Sequence, residues 1–384
     1  MFLRLKYYLT AVCLATAVVS AKEVTEDDMK TLRLVHAFFR HGARTPELKH
    51  LFPTDPYGVD TFAPMGYGQL TNLGKRQAFR LGERLRNRYD RFLGKIYYPE
   101  EVYGQSTDFD RTKASLQLVL AGLYPPVDNQ RWHEQLNWQP IPTHYKEDHL
   151  DYFLRRPNKY CPAYMAELDK ALTSEQHQEY LESVRSTLDF LTENTGMQVK
   201  TTSAAFGVYQ TIRAEHVMNL TLPKWTENGI YPEALNKLAI RQCLIENSTP
   251  KLRRLNGGRS LQKVIDNMLA KSECRLQPEN RKIFLYSGHE NNVVNLLTAL
   301  GFFDSVEDQY FPDYSSAFVI ELHEDEEEFA VKLLYLRDVE AEYEEKQLKG
   351  CEDVLCPLQD FIRLTKTVVP VNFTEECQSP VNLD

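Results

Sequence analysis

The sequence predicts an α/β fold in which one sheet-bearing domain is interrupted by a helical insertion. Three observations predict it. Short apolar strands alternate with helices across 31–130, the stretch 131–270 is helical and strand-poor, and the alternation returns over 271–377. Strands alternating with helical patterns build a central sheet, and a long break in that alternation marks an insertion. With 384 residues, 42% hydrophobic and 26% charged, the chain can bury one large core, or a large and a smaller one.

Residues 1–21 read as a signal peptide. Arg4 and Lys6 precede an apolar centre from Leu9 to Val19, and Val19-Ser20-Ala21 is a small-residue cleavage site. The apolar stretch is too short to span a bilayer, and the polar tail 378–384 carries no lipid-anchor signal. The expected location is therefore extracellular, ahead of lysosomal, with no membrane partner. Cleavage takes the formal charge from −9 to −11. So acidic a chain repels a phosphate backbone, which argues against nucleic acid as a partner. Any local positive potential has to come from a few placed arginines.

The run 32–39 is short and mostly apolar and reads as a buried strand. It delivers Arg40-His41-Gly42-Ala43-Arg44-Thr45-Pro46 to the place where α/β sheets hold their ligands. Two guanidiniums flank an imidazole. Arginine forks match phosphoryl oxygens and stay charged, while an imidazole nitrogen can attack phosphorus. Gly42 is expected to let the backbone turn with no Cβ facing a ligand, and Pro46 ends regular structure.

Residues 72–89 follow as a helix with Thr71 as N-cap and Leu73, Ala78, Leu81 and Leu85 near helical spacing. A short strand over 102–104 leads to a helix over 111–123, with Arg111 at its start. Helices are expected over 162–173, 175–194, 201–219, 231–245 and 258–272. The strand 283–286 then leads through His289 and Glu290 into a helix over 291–300, which Gly301 ends. Three strand-to-helix junctions thus carry Arg40/His41/Arg44, Arg111 and His289/Glu290, and an open sheet brings such junctions to one edge. The helix from 291 adds its partial positive N-terminus. Two last strands, 316–323 and 328–337, are joined by Glu324-Asp325-Glu326-Glu327. Contiguous charges without ligand geometry read as a solvated hairpin tip, not a metal site.

Cys13 leaves with the signal peptide, and Cys161, Cys243, Cys274, Cys351, Cys356 and Cys377 remain. In a secretory chain without a Cys-x-x-Cys pair they read as disulfides, of undetermined connectivity. Asn219, Asn247 and Asn372 each open a glycosylation sequon, the second followed closely by Pro250.

The spacing R-H-G-x-R-x-P resembles the signature of the histidine acid phosphatases. Gly68-Gln69-Leu70-Thr71-Asn72-Leu73-Gly74, Ser106-Thr107-Asp108-Phe109-Asp110-Arg111-Thr112 and Tyr286-Ser287-Gly288-His289-Glu290 follow in that family's order. So do the segments 138–144 and 351–358, so that the resemblance spans about 31–377. The Ser-Gly-His-Glu form is closest in look to the insect branch of secreted venom acid phosphatases. The resemblance implies a mixed central sheet with helices on both faces and a smaller helical domain. It also implies a secreted phosphomonoesterase that works through a phosphohistidine, without metal or cofactor, on small phosphomonoesters; a homodimer is compatible with it. His41 would be the nucleophile, Arg40, Arg44 and Arg111 the phosphate clamp, His289 a further donor and Glu290 the proton donor.

It implies the disulfides Cys161–Cys377 and Cys351–Cys356 as well, with Cys243–Cys274 as the pair left over. The chain departs from the family pattern at Glu290, where many members carry Asp, and at Gln105, where prostatic-type members carry Arg. Asp108 and Asp110 are expected to orient Arg111 and cap its helix. The cations around His41 are expected to keep it neutral in mild acid. Two other readings remain: a catalytically silent secreted binding protein of the same fold, and a phytase-like inositol-phosphate phosphatase. The second needs a basic pocket, for which this acidic chain shows no obvious surplus.

Overall fold

The computed structural model describes residues 26–306 and 311–383; the signal-peptide reading falls outside them. Eight strands form one mixed sheet: β1 (Leu32–Arg40), β2 (Val102–Ser106), β3 (His144–Tyr145), β4 (Ile283–Gly288), β5 (Ala317–Asp325), β6 (Glu328–Leu336), β7 (Glu344–Lys346) and β8 (Leu355–Pro357). Their order is β3-β2-β4-β1-β5-β6-β7, with β8 also beside β6. The half from β3 to β1 is parallel, and β5 to β8 are antiparallel.

β1 explains why the sheet is covered on both sides. Side chains alternate across a strand, and here both sets carry buried apolar residues. Leu34 and Phe38 face a core shared with the helices Thr202–Val217, Leu235–Ile245, Gly257–Ser272 and Glu290–Ala299. Val35, Ala37 and Phe39 face a second core built with the helices Asn72–Leu93 and Asp110–Leu123. A mostly apolar run is what a strand buried on two faces requires.

The helix Asn72–Leu93 begins where its cap predicts: Thr71 Oγ1 accepts from the Gly74 amide at 3.1 Å. The expected helix 175–194 is instead two, Glu175–Ser183 and Arg185–Thr195, with Val184 outside helical geometry between them. The strand-poor reading of 131–270 overlooked β3, a two-residue edge strand beside β2. The acidic run is a hairpin tip shorter than expected. Strand pairing persists to Asp325–Glu328, so that only Glu326 and Glu327 form the loop, both at positive φ. That backbone is the one that matches strand twist in a two-residue turn.

Two disulfides, Cys161–Cys377 and Cys351–Cys356, are formed. The first lies in a small third core with Tyr164 and Phe373, and it ties the helix Pro162–Thr173 to the C-terminal helix Phe373–Cys377. The third pairing is corrected. Cys243 is a free thiol buried on the helix Leu235–Ile245, and Cys274 is a free thiol exposed just past the helix Gly257–Ser272. One side chain is committed to the core and the other to solvent, and no bond joins them.

The Asn247 sequon is corrected too. Its side chain is 1% exposed, and its amide nitrogen donates to Cys243 O and Asn295 Oδ1, both at 3.0 Å. A glycan attaches through that nitrogen, which these two bonds already occupy. Asn219 is exposed, and Asn372 spends only its oxygen, as N-cap of the last helix.

Candidate active site

Strand register brings the predicted junctions together. Arg40 is level with Gly288, and Ser106 with Ser287. His41, Thr107 and His289 therefore leave the sheet at the same edge, and the amides of His41 and Thr107 bond to Gly288 O and Ser287 O. Gly42 has a reason other than the one its position suggested. A Cβ there would stand 2.0 Å from Gly74 O, and one on Gly74 would stand 1.9 Å from Ala43 O. The loop and the start of the helix Asn72–Leu93 meet backbone to backbone, and only glycines permit it.

A cavity of about 280 Å³ opens over this edge, lined by His41, Arg44, Glu47, Arg111, His289 and Glu290, among others. His41 is 1% exposed, and its Nδ1 lies 2.8 Å from Gly42 O. A carbonyl only accepts, so Nδ1 carries the proton and Nε2 keeps the lone pair. Burial above all, then Arg111, His289, Arg40 and Arg44, hold the ring well below the ordinary histidine value. The cations act as expected, and burial adds a larger effect that the sequence did not disclose.

His289 is neutral for the same reasons, burial first and then Arg111. Thr107 Oγ1 donates to Thr112 Oγ1, so the His289 Nε2–H donates to Thr107 at 3.1 Å. That leaves Nδ1 to accept from Arg111 Nη2 at 3.4 Å. Phe109 packs edge-on against His289 and lies beneath the Arg111 guanidinium, 4.6 Å from its ring centre.

Arg111 is not oriented by the aspartates expected to do so. Asp108 pairs with Lys113, Asp110 accepts from Gln69, and the helix Asp110–Leu123 starts without a side-chain cap. Glu47 holds Arg111 instead, at 3.1 Å, and also lies 3.4 Å from Arg44.

Arg40 does not line the cavity. It is fully buried, donates to Pro312 O at 2.7 Å, stacks on Tyr314 and places Nε 3.4 Å from Glu290 Oε2. Gln210, on the helix Thr202–Val217, is a residue that sequence reasoning missed. Its oxygen accepts from Arg44 at 3.1 Å and Arg40 at 3.5 Å, while its nitrogen donates to Glu290 Oε1 at 3.2 Å. Burial pushes the Glu290 carboxyl up, but Arg40 and Arg156 outweigh it and hold it below the usual range. Among the described residues, no three His, Cys, Asp or Glu side chains are grouped to hold a metal ion.

A sequence model described as the histidine phosphatase superfamily, branch 2, matches residues 31–336. The chain belongs to that family. Among its relatives, the venom acid phosphatase Acph-1 of Apis mellifera is 40% identical over 343 residues, 89% of this chain and 86% of that one. The lysosomal acid phosphatase of Rattus norvegicus is 34% identical across 91% of this chain and 81% of its own. Human prostatic acid phosphatase is 32% identical over 91% and 89%. The phytase structure from Citrobacter braakii superposes with a TM-score of 0.65 at 19% identity, covering 90% of this chain and 99% of the other. At that identity the likeness concerns the fold alone: the mixed sheet and its helices are those of this superfamily. Branch 2 phosphatases act through a phosphohistidine intermediate.

Proposed function

We propose that this phosphatase is a secreted acid phosphomonoesterase whose nucleophile is His41. The observation that carries the reading is the His41 Nδ1–H bond to Gly42 O inside a cavity that also presents Arg44 and Arg111. It fixes a neutral imidazole with its lone pair on Nε2. That nitrogen forms a bond to phosphorus as the ester P–O bond breaks, and the departing oxygen takes a proton from Glu290. Water then gives a proton back to Glu290 and attacks phosphorus, which frees His41 and inorganic phosphate.

Charge spreads over the equatorial oxygens in the transition state, and a preorganised donor there is worth roughly 10²–10³ in rate. Arg44 and Arg111 face the cavity for that task. Arg40 acts through Glu290, which it holds together with Gln210. A phosphoryl dianion among these cations offsets their pull on Glu290 and restores the proton that an acid must hold. Secretion is supported by the signal-like start, the two disulfides and the venom relative.

A substrate with further anionic groups is the second reading, and one observation favours it. The cavity presents Arg44, Lys49, Arg111, Arg155, Arg156 and Lys159 against Glu47 and Glu290. The chain is acidic overall, yet its pocket is basic. This removes the ground on which the sequence had set the phytase-like alternative aside.

The test is hydrolysis of para-nitrophenyl phosphate at pH ~4–8 with EDTA, for wild type beside His41→Ala. Activity should peak in acid, survive the chelator and vanish in the variant. A variant that keeps its activity, or a wild type that the chelator silences, contradicts the proposal.

A further inference from the structure

One carboxylate in the cavity has no part in the chemistry above. Glu47 follows the Arg40–Pro46 motif and precedes the single turn Leu48–His50. Its Oε1 lies 3.1 Å from Arg111 Nη2 and 3.4 Å from Arg44 Nη2, while Oε2 lies 3.1 Å from Lys49 Nζ. One carboxylate oxygen thus bridges the two guanidiniums that a phosphoryl group would need. An arginine fork receives carboxylate and phosphate oxygens in the same way, so the two anions contend for the same N–H groups.

Both arginines also have contacts besides this residue. Arg44 is already held by Thr45 O at 3.0 Å and Gln210 Oε1 at 3.1 Å, and Arg111 rests on the Phe109 ring. Burial pushes the Glu47 carboxyl up, yet Arg44, Arg111 and Lys49 bring it down to about 2. It therefore stays charged in mild acid, and a phosphoryl group beside it meets a like charge where solvent screens poorly.

We infer that Glu47 is a built-in competitor for the phosphate site, a specificity-determining residue that loosens the hold on phosphate. The inference rests on the phosphatase reading above. Its consequence is weak retention of the product: the carboxylate takes over the guanidiniums as inorganic phosphate departs, so the leaving anion does not abandon bare cations. Ester and product share the phosphoryl group, so both affinities carry this penalty.

The experiment uses the full mature chain at pH ~5. Calorimetry reads the affinity for inorganic phosphate, and steady-state kinetics read its inhibition constant, in wild type, Glu47→Gln and Glu47→Asp. Removing the charge should tighten phosphate roughly tenfold or more and lower KM in the same direction. The shorter Asp should shift both values the same way by less, since it loses reach to Arg111 but keeps its charge. A merely structural role cannot produce tighter binding. Unchanged or weaker phosphate affinity in Glu47→Gln overturns the inference; should that variant fail to fold, Glu47→Asp decides by the same criterion. A wild type that neither hydrolyses esters nor binds phosphate removes the phosphatase reading, and this inference with it. A wild type that turns over while neither variant tightens removes the Glu47 inference alone.

Discussion

Glu290 is the residue whose surroundings are most at odds with its task. A general acid must hold a proton, yet Arg40 and Arg156 keep this carboxyl below the ordinary glutamate value. The proton has to arrive with the phosphoryl charge. Glu290→Gln should therefore slow an alkyl phosphate far more than one with an activated phenol as leaving group, by roughly 10²-fold or more against a few-fold. Parallel kinetics on the two esters read the contrast, and equal losses would argue that Glu290 merely starts its helix. The motif residues were legible from sequence because they sit at fixed places on strand ends. Gln210 was not. It comes from a helix some 170 residues beyond Arg40 in the chain, and it touches Arg40, Arg44 and Glu290 only after folding. Glu47 was overlooked for a different reason: a carboxylate beside a phosphate clamp runs against the local charge logic.

Among elements, the contact of the helix Asn72–Leu93 with β5 is the one that periodicity could not foresee. Glu321 on β5 is fully buried and accepts from Arg88 at 2.8 and 3.2 Å, from the Tyr89 hydroxyl at 2.6 Å and from His323 at 3.2 Å. Burial raises its carboxyl, but Arg88 and His323 bring it well below the ordinary range. Breaking such a pair leaves a buried charge without a partner, so Arg88→Ala should cost roughly 3–5 kcal/mol. Denaturant unfolding measures this; a loss under about 1 kcal/mol would mean that Tyr89 and His323 suffice. The sequence showed β5 as a strand and the helix as an apolar stripe. The polar seam between them was hidden, because a lone Glu in a strand and an Arg on a helix usually face water.

Across the whole molecule, two buried carboxyls pull stability in opposite directions with pH. Glu321 has a lowered pKa, so the stability it provides is present above the unfolded value and is lost as pH falls through its folded one. Glu215 is the reverse. Burial and the neighbouring Asp55 carboxyl raise it to about 9. Its stability is fully present below the ordinary glutamate value and drains away as pH rises toward 9. The pair joins the helix Thr202–Val217 to the segment after Glu47, whose Tyr57 hydroxyl also bonds Thr221 O. Glu215→Gln should thus raise Tm at pH ~8 by several degrees and change it little at pH ~4.5. A thermal-shift series in pH reads this, and an equal change at both ends would show that the carboxyl holds its proton no more tightly in the fold than in the unfolded chain. The architecture was legible at this scale because apolar β1 and β4 can only sit mid-sheet. The free Cys243 and the buried Asn247 were not, since a cysteine or a sequon reads alike inside and out.

The most direct test of the account traps the intermediate. Wild type and Glu290→Gln are mixed with a phenyl phosphate, quenched in alkaline denaturant within milliseconds and digested for mass spectrometry. One added phosphoryl group is expected on the peptide that contains His41, at higher occupancy in the Glu290→Gln sample, and none in His41→Ala. A phosphoryl group on His289, or turnover with no phosphorylated histidine in either protein, would contradict it.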